Sequence, residues 1–125
     1  MTAYGGIAIL IHRDTMIGSN VTIGTKVTIG GAPSGVPKIQ DDVFLATGSC
    51  ILGGITIAQG AISGANTTIV RDCEPFCIYA GSPGRIIARV NSKNTSKYAS
   101  MYKLRSMDSI QNFVQRNESW LFNNN

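Results

Sequence analysis

Charge is scarce in this sequence: Asp, Glu, Lys and Arg make up 14% of 125 residues. No apolar run approaches the roughly 20 residues that a membrane-spanning helix needs, so no membrane association is expected. No basic cluster precedes the apolar residues of segment 1–10, which argues against a secretory leader and for a cytoplasmic protein. Cysteine is limited to Cys50, Cys73 and Cys77, an odd number without a CxxC pair. Reduced thiols are therefore expected, with neither a disulfide nor a metal site. Dense runs of one sign are missing as well. Four Lys/Arg stand against five Asp/Glu through Gly84, and seven against two from Arg85 onward. The later basic excess is diluted by Asn and Ser, so it reads as a solvated helical surface rather than a nucleic-acid-binding stripe. Histidine occurs once, as His12.

What the chain has in quantity is glycine, 14 residues, and aliphatic side chains set at a fixed step. Every sixth residue from Ile11 is Ile11, Ile17, Ile23 and Ile29. After a step of ten the count resumes at Ile39, Leu45, Ile51, Ile57, Ser63 and Ile69. Nine of these ten positions are Ile or Leu, so the period is not a by-product of a composition that is 43% hydrophobic. A period of six matches neither an α-helix nor simple strand alternation as a complete account. It marks short strands and turns alternating around a coil, a hexapeptide β-solenoid. Thr15, Val21 and Val27 stand two before the Ile positions and share a strand face with them. Gly18, Gly24 and Gly30 follow Ile, and Asn20 lies near a corner; these residues are expected to supply the positive φ of tight corners. Three hexads make a triangular coil of about 18 residues, which sets Ile11 under Ile29 and, across the insertion, Ile23 under Leu45. Ser63 breaks the ladder and fits either a narrower coil or a hydroxyl bonded to backbone.

The step from Ile29 to Ile39 encloses residues 30–38, with two prolines and three glycines, an extruded loop. In column order His12 falls beneath Gly30, where that loop leaves the coil. His12 is the one imidazole available and stands near the loop either as a turn residue or as a titratable group for acid–base work, with Asp14 near enough in sequence to orient it. His12 and Asp14 are therefore the candidate catalytic residues. Segment 1–10 reads as an incoming strand or incomplete coil, with a turn at Tyr4-Gly5-Gly6 and a strand over 7–11. Pro75 stops the repeat, and residues 78–87 form a closing strand with a Gly/Pro turn. After Asn91 the period becomes helical. Residues 96–105 put Tyr98, Met101 and Tyr102 on one face, and 108–115 do the same with Ile110, Phe113 and Val114. Thr95 and Ser106 are the expected N-caps, and 123–125 a frayed end. The organisation expected is a solenoid over 1–90 and a helical extension over 91–125 that packs on the solenoid or on a partner subunit.

The pieces "IGSNVTIGTKVTIGG", "VPKI", "ILGGITIAQGAISGAN" and "AGSPGRII", spread over roughly residues 6–89, resemble the hexapeptide-repeat acyltransferases. The serine acetyltransferase-like branch is the nearest match, ahead of the sugar O-acetyltransferases. The resemblance implies an all-β solenoid, a left-handed parallel β-helix with a C-terminal helical tail. It implies an acetyl-CoA-dependent O-acetyltransferase acting on serine or a sugar hydroxyl, built as a homotrimer with acetyl-CoA in the groove between adjacent solenoids and the loop reaching toward a neighbour. Carried over by position, the CoA-facing residues are Ala46, Thr47, Ala65, Val70, Arg71 and Arg85, the two arginines set toward phosphate. The family's Asp-His pair, in an Asp-His-Ala-Thr-Gly-like segment, falls here at Tyr4 and Gly5, and its second histidine at Val36. That departure leads to the expectation of an N-terminally shortened or degenerate member, and keeps open a second reading: a catalytically inactive trimer serving as a structural or assembly module.

Overall fold

Strands of two or three residues, set six apart, wind into a three-walled prism. A computed structural model describes residues 2–3 and 9–124. The strands are β1 (Thr2–Ala3), β2 (Leu10–Ile11), β3 (Met16–Ile17), β4 (Thr22–Ile23), β5 (Thr28–Gly30), β6 (Lys38–Ile39), β7 (Phe44–Leu45), β8 (Cys50–Leu52), β9 (Thr56–Ile57), β10 (Ile62–Ser63) and β11 (Thr68–Ile69). Two longer strands follow, β12 (Cys77–Ala80) and β13 (Arg85–Arg89). The first wall has the order β1-β4-β7-β10-β12-β13, the second β2-β5-β8-β11 and the third β3-β6-β9. Pairing is parallel throughout these ladders except for the β12–β13 hairpin. The Tyr4-Gly5-Gly6 turn and the 7–8 part of the expected strand lie outside the described residues.

The six-residue columns appear as expected: Ile11 pairs with Ile29, and Ile23 with Leu45 across the insertion. Ile23, Ile29, Leu45 and Ile51 are at most 1% exposed, which makes the columns the core. Ile11 and Ile17, in the coil nearest the start, are only half-buried. Ser63 is buried, and its Oγ lies 2.7 Å from Ser49 Oγ, while Ser49 Oγ is 3.1 Å from the Gly64 carbonyl. A side-chain pair, rather than a bond from Ser63 to backbone, thus satisfies this polar step in an apolar column.

The corners depart from expectation in one respect. Positive φ falls at Asn20, Lys26, Asp42 and Asn66, not at the glycines that follow Ile. Gly24 is glycine for another reason: a Cβ there would stand 2.8 Å from the Thr47 amide nitrogen in the coil above. Close approach of successive coils, rather than torsion, selects the small residue.

The chain after β13 forms a 3-10 helix (Thr95–Tyr102) and two α-helices, α1 (Met107–Arg116) and α2 (Glu118–Asn123). They cover the outer face of the first wall. Ile62 and Ile78 from that wall share a buried cluster with Phe76, Val90, Tyr102, Phe113 and Leu121, with Phe44 packed against it. Tyr102 and Phe113 stack with ring centroids 4.7 Å apart. Tyr102 donates its hydroxyl to the Gly60 carbonyl, and Gln59 Nε2 donates to Asn117 Oδ1 at 2.7 Å. The tail thus packs on the solenoid of its own chain.

Ser106 caps α1 as expected, accepting from Ser109 N in a reciprocal capping box. Thr95 does not cap: Asn94 occupies that position, and Thr95 Oγ1 donates instead to the Asn91 carbonyl at 2.6 Å. At the chain's end Asn123 closes α2, and Asn124 Nδ2 donates to the Val90 carbonyl at 2.9 Å, so these two residues are held rather than frayed. Asn125 lies outside the described residues. No helix among the described residues is long and apolar enough to cross a membrane.

Candidate functional site

The second wall carries two outward columns. Leu10, Thr28, Cys50 and Thr68 precede the inward Ile of each strand, and register aligns them. His12, Gly30, Leu52 and Val70 follow it; Gly30 pairs directly with Leu52, and His12 donates its amide to the Ile29 carbonyl at 2.8 Å. Strand spacing puts His12 and Val70 three rungs, roughly 14 Å, apart along this wall.

The expected CoA-facing residues fall along the two edges of that wall. Ala46, Thr47 and Ala65 form the corner between first and second walls, where Thr47 Oγ1 is 3.4 Å from Thr25 Oγ1 one coil below. Ala65 and Thr47 are exposed and Ala46 half-buried. Val70, Arg71 and Arg85 come together at the far end, in a groove of about 420 Å³ that also takes in Thr68, Asp72, Glu74 and Tyr79. Arg71 and Arg85 are exposed and join no ion pair among the described residues, and the carboxylates of Asp72 and Glu74 line the same groove.

Tyr79, Asp72 and Glu74 are groove residues that the sequence reading did not single out. Tyr79 turns into the core, 7% exposed, and its hydroxyl accepts from the Glu74 amide at 2.7 Å. Burial pushes the Tyr79 phenol up to about 12, eased by that bond. Beneath it, burial pushes the Cys73 thiol up to about 12, with the Tyr79 hydrogen bond opposing. Burial also raises the Cys77 thiol, against the pull of Arg89, whose Nη1 lies 3.1 Å from the sulfur. All three cysteines are free thiols. A signal for this floor was available: an aromatic at the six-residue column's last step, where Tyr79 follows Ser63 in the ladder.

At the other end of the wall, residues 31–36 form a tight hairpin. Ala32 and Gly35 exchange amide-to-carbonyl bonds of 2.9 Å each, and Ser34 Oγ accepts from the Gly54 amide at 3.0 Å. A Cβ on Gly54 would collide with the Ser34 carbonyl, so the loop sits down on the following coil. His12 stands beside it: a Cβ on Gly31 would lie 3.5 Å from the imidazole Cδ2. Its Nδ1 accepts from the Asp14 amide at 3.1 Å. The Asp14 carboxylate points instead to Arg13 Nε, 3.9 Å away on the exposed surface. Asp14 thus holds the imidazole through its backbone and not through its charge. In neutral His12, Nδ1 is the acceptor nitrogen and Nε2 carries the proton.

No family model matches the chain. Over 92 residues it is 35% identical to a serine acetyltransferase of Bacillus subtilis, an overlap of 70% of this chain and 42% of that protein. A serine acetyltransferase structure in complex with CoA matches with a TM-score of 0.65 at 29% identity, over 69% of this chain and 36% of the other. The Neisseria gonorrhoeae enzyme in complex with serine matches with a TM-score of 0.65 at 29% identity, over 67% and 36%. The chain spans about two-fifths of the length of the curated bacterial relative, 42%. A coil of the opposite hand would not superpose in this way, so the prism is a left-handed parallel β-helix. The repeat, the three walls and these likenesses define the hexapeptide-repeat acyltransferases as its class. The chain belongs to that family, in its serine acetyltransferase-like branch.

Proposed function

We propose that the chain is the solenoid part of an acetyl-CoA-dependent O-acetyltransferase, with serine or another small hydroxyl compound, sugars included, as acceptor. The observation that carries this reading is the solenoid, which resembles a serine acetyltransferase solved with CoA and whose second wall has unpaired arginines at one end and a loop beside an imidazole at the other. In this reading Arg71 and Arg85 hold the CoA phosphates. Ala46, Thr47 and Ala65 let the amide-rich pantetheine arm approach coil backbone, and Val70 packs on it. The thioester then lies toward His12 and Asp14. Three copies bring a second solenoid over this wall, and the assembly works in the cytoplasm. Residues 1–90 supply the solenoid and 91–125 a brace packed on its first wall.

The test is a thermal-shift titration with acetyl-CoA, followed by thiol release in the presence of serine and of sugar hydroxyls. A rise in Tm with acceptor-dependent thiol release is expected. No Tm shift together with no thioester consumption would end the reading. A second reading has one observation in its favour: the positions that match the family's two histidines hold Gly5 and Val36, and the aspartate beside the first is Tyr4. On that reading the chain is a structural trimer without turnover, and acceptor-dependent thiol release would exclude it.

A further inference from the structure

His12 has been considered as a base, but the bond at its ring points to a different task. A general base needs a free lone pair at the nitrogen that faces the substrate. In neutral His12 the one lone pair is on Nδ1, and it is already taken by the Asp14 amide at 3.1 Å. What remains for a ligand is the Nε2–H, a donor. The exposed ring is oriented by that amide and lies beside the hairpin, where a Cβ built on Gly31 would be in ordinary contact with Cδ2 at 3.5 Å. Its position in the outward column, below Gly30, Leu52 and Val70, puts this donor on the wall where the proposed acetyl-CoA lies and at the opposite end from Arg71 and Arg85.

We infer that His12 is a hydrogen-bond donor to the acyl carbonyl oxygen, not the base of the transfer; the inference rests on the acetyltransferase reading. In the step it assists, the acceptor's hydroxyl oxygen bonds to the thioester carbon. Negative charge gathers on the carbonyl oxygen, the C–S bond breaks, and the hydroxyl proton ends on the CoA sulfur. A donor fixed by backbone before the charge develops stabilises that oxygen with little reorganisation. The favoured tautomer is what makes His12 suited to it: the Asp14 amide, by donating to Nδ1, biases the ring toward hydrogen on Nε2.

Because His12 is the chain's one histidine, its ring signals can be read directly in nitrogen-15 NMR of the full chain. S-acetonyl-CoA, which keeps a carbonyl but cannot transfer an acetyl group, is the probe. The expected results are a ring proton on Nε2 in the free protein and a displaced Nε2–H resonance when the probe binds. His12→Asn places an amide oxygen near Nδ1, keeping the bond to the Asp14 amide while removing the Nε2 donor. Its Tm and its Tm shift with the probe are expected to match those of the parent chain, while kcat with acetyl-CoA falls about 100- to 1000-fold. His12→Gln, which restores an N–H near the Nε2 position, is expected to recover part of that loss. Probe binding without any change at Nε2–H, or His12→Asn turnover equal to that of the parent, would overturn the inference and leave the acetyltransferase reading standing. Absence of probe binding, judged by Tm, would instead remove that reading and the inference with it.

Discussion

At Gly24 and Gly54 the missing side chain serves a neighbouring segment: one admits the Thr47 amide, the other the Ser34 carbonyl. The same dependence on neighbours grades the isoleucine ladder. Ile51 is fully buried between coils, so Ile51→Ala leaves a cavity and is expected to cost about 2–5 kcal/mol in urea denaturation. Ile17 has the same place in the period but lies half-buried near the start of the coil. Ile17→Ala is expected to cost less, about 1–2 kcal/mol, because part of that side chain already meets water. Equal costs would mean that an unlike environment covers Ile17 in solution. Titration gives a second residue-scale expectation. Cys73 is raised from 9.0 to about 12 and Tyr79 from 10.0 to about 12, both by burial. Their protonated forms are the ones the fold accommodates, so between pH 9 and 12 the unfolded chain loses protons that the folded chain keeps. Stability is therefore expected to fall as pH rises through that window, and Tyr79→Phe to flatten the fall. Thermal melts from pH 8 to 11 check the slope; a midpoint that rises would contradict the burial of these groups.

Among elements, strands were far more legible in the sequence than helices. A six-residue period specifies inward positions without needing knowledge of the partner, since every coil repeats the last. That is why Ile11 over Ile29 and Ile23 over Leu45 could be read from spacing alone. The helical end has no such repetition. The Asn91–Asn94 turn sets where the 3-10 helix begins: Asn94 Oδ1 accepts from the Asn91 amide at 2.7 Å, and Asn91 Oδ1 accepts from the Asn94 amide at 2.9 Å. Helix α2 is only six residues long, too short for a periodic signal, and owes its place to Leu121 and to Asn124 on the Val90 carbonyl. Ser106 was legible because its role is local. Ser106→Ala is expected to cost about 1 kcal/mol, read as a lower urea midpoint with unchanged slope. The site divided along the same line. Ala46, Thr47, Ala65 and Val70 are candidates that the family resemblance supplies, and coil register sets where each falls in the fold. The imidazole's tautomer depends on one short-range bond from Asp14, and Tyr79 reaches the groove only because its hydroxyl folds back to the Glu74 amide.

For the whole molecule, the helical tail is part of one body with the solenoid rather than an appendage. Tyr102, Phe113 and Leu121 are each at most 1% exposed against wall residues. The proposed trimer is open to a direct check: sedimentation equilibrium should return three times the chain mass of 13.3 kDa, and a monomer at micromolar concentration would count against it. The tail also bears on how copies can meet. It dresses one wall of the prism and leaves two bare ones that differ: Leu10, Thr28, Cys50 and Thr68 on one, Met16, Lys38 and Thr56 on the other. A face-to-face pair would bury like against like and stop at two. Joining unlike walls gives each contact a direction, so every added copy presents the same open wall as the one before. Growth of that kind ends only by turning back on itself. In the proposed trimer the inclination between the two bare walls supplies the turn, and the tail-covered first wall is kept on the outside of the ring.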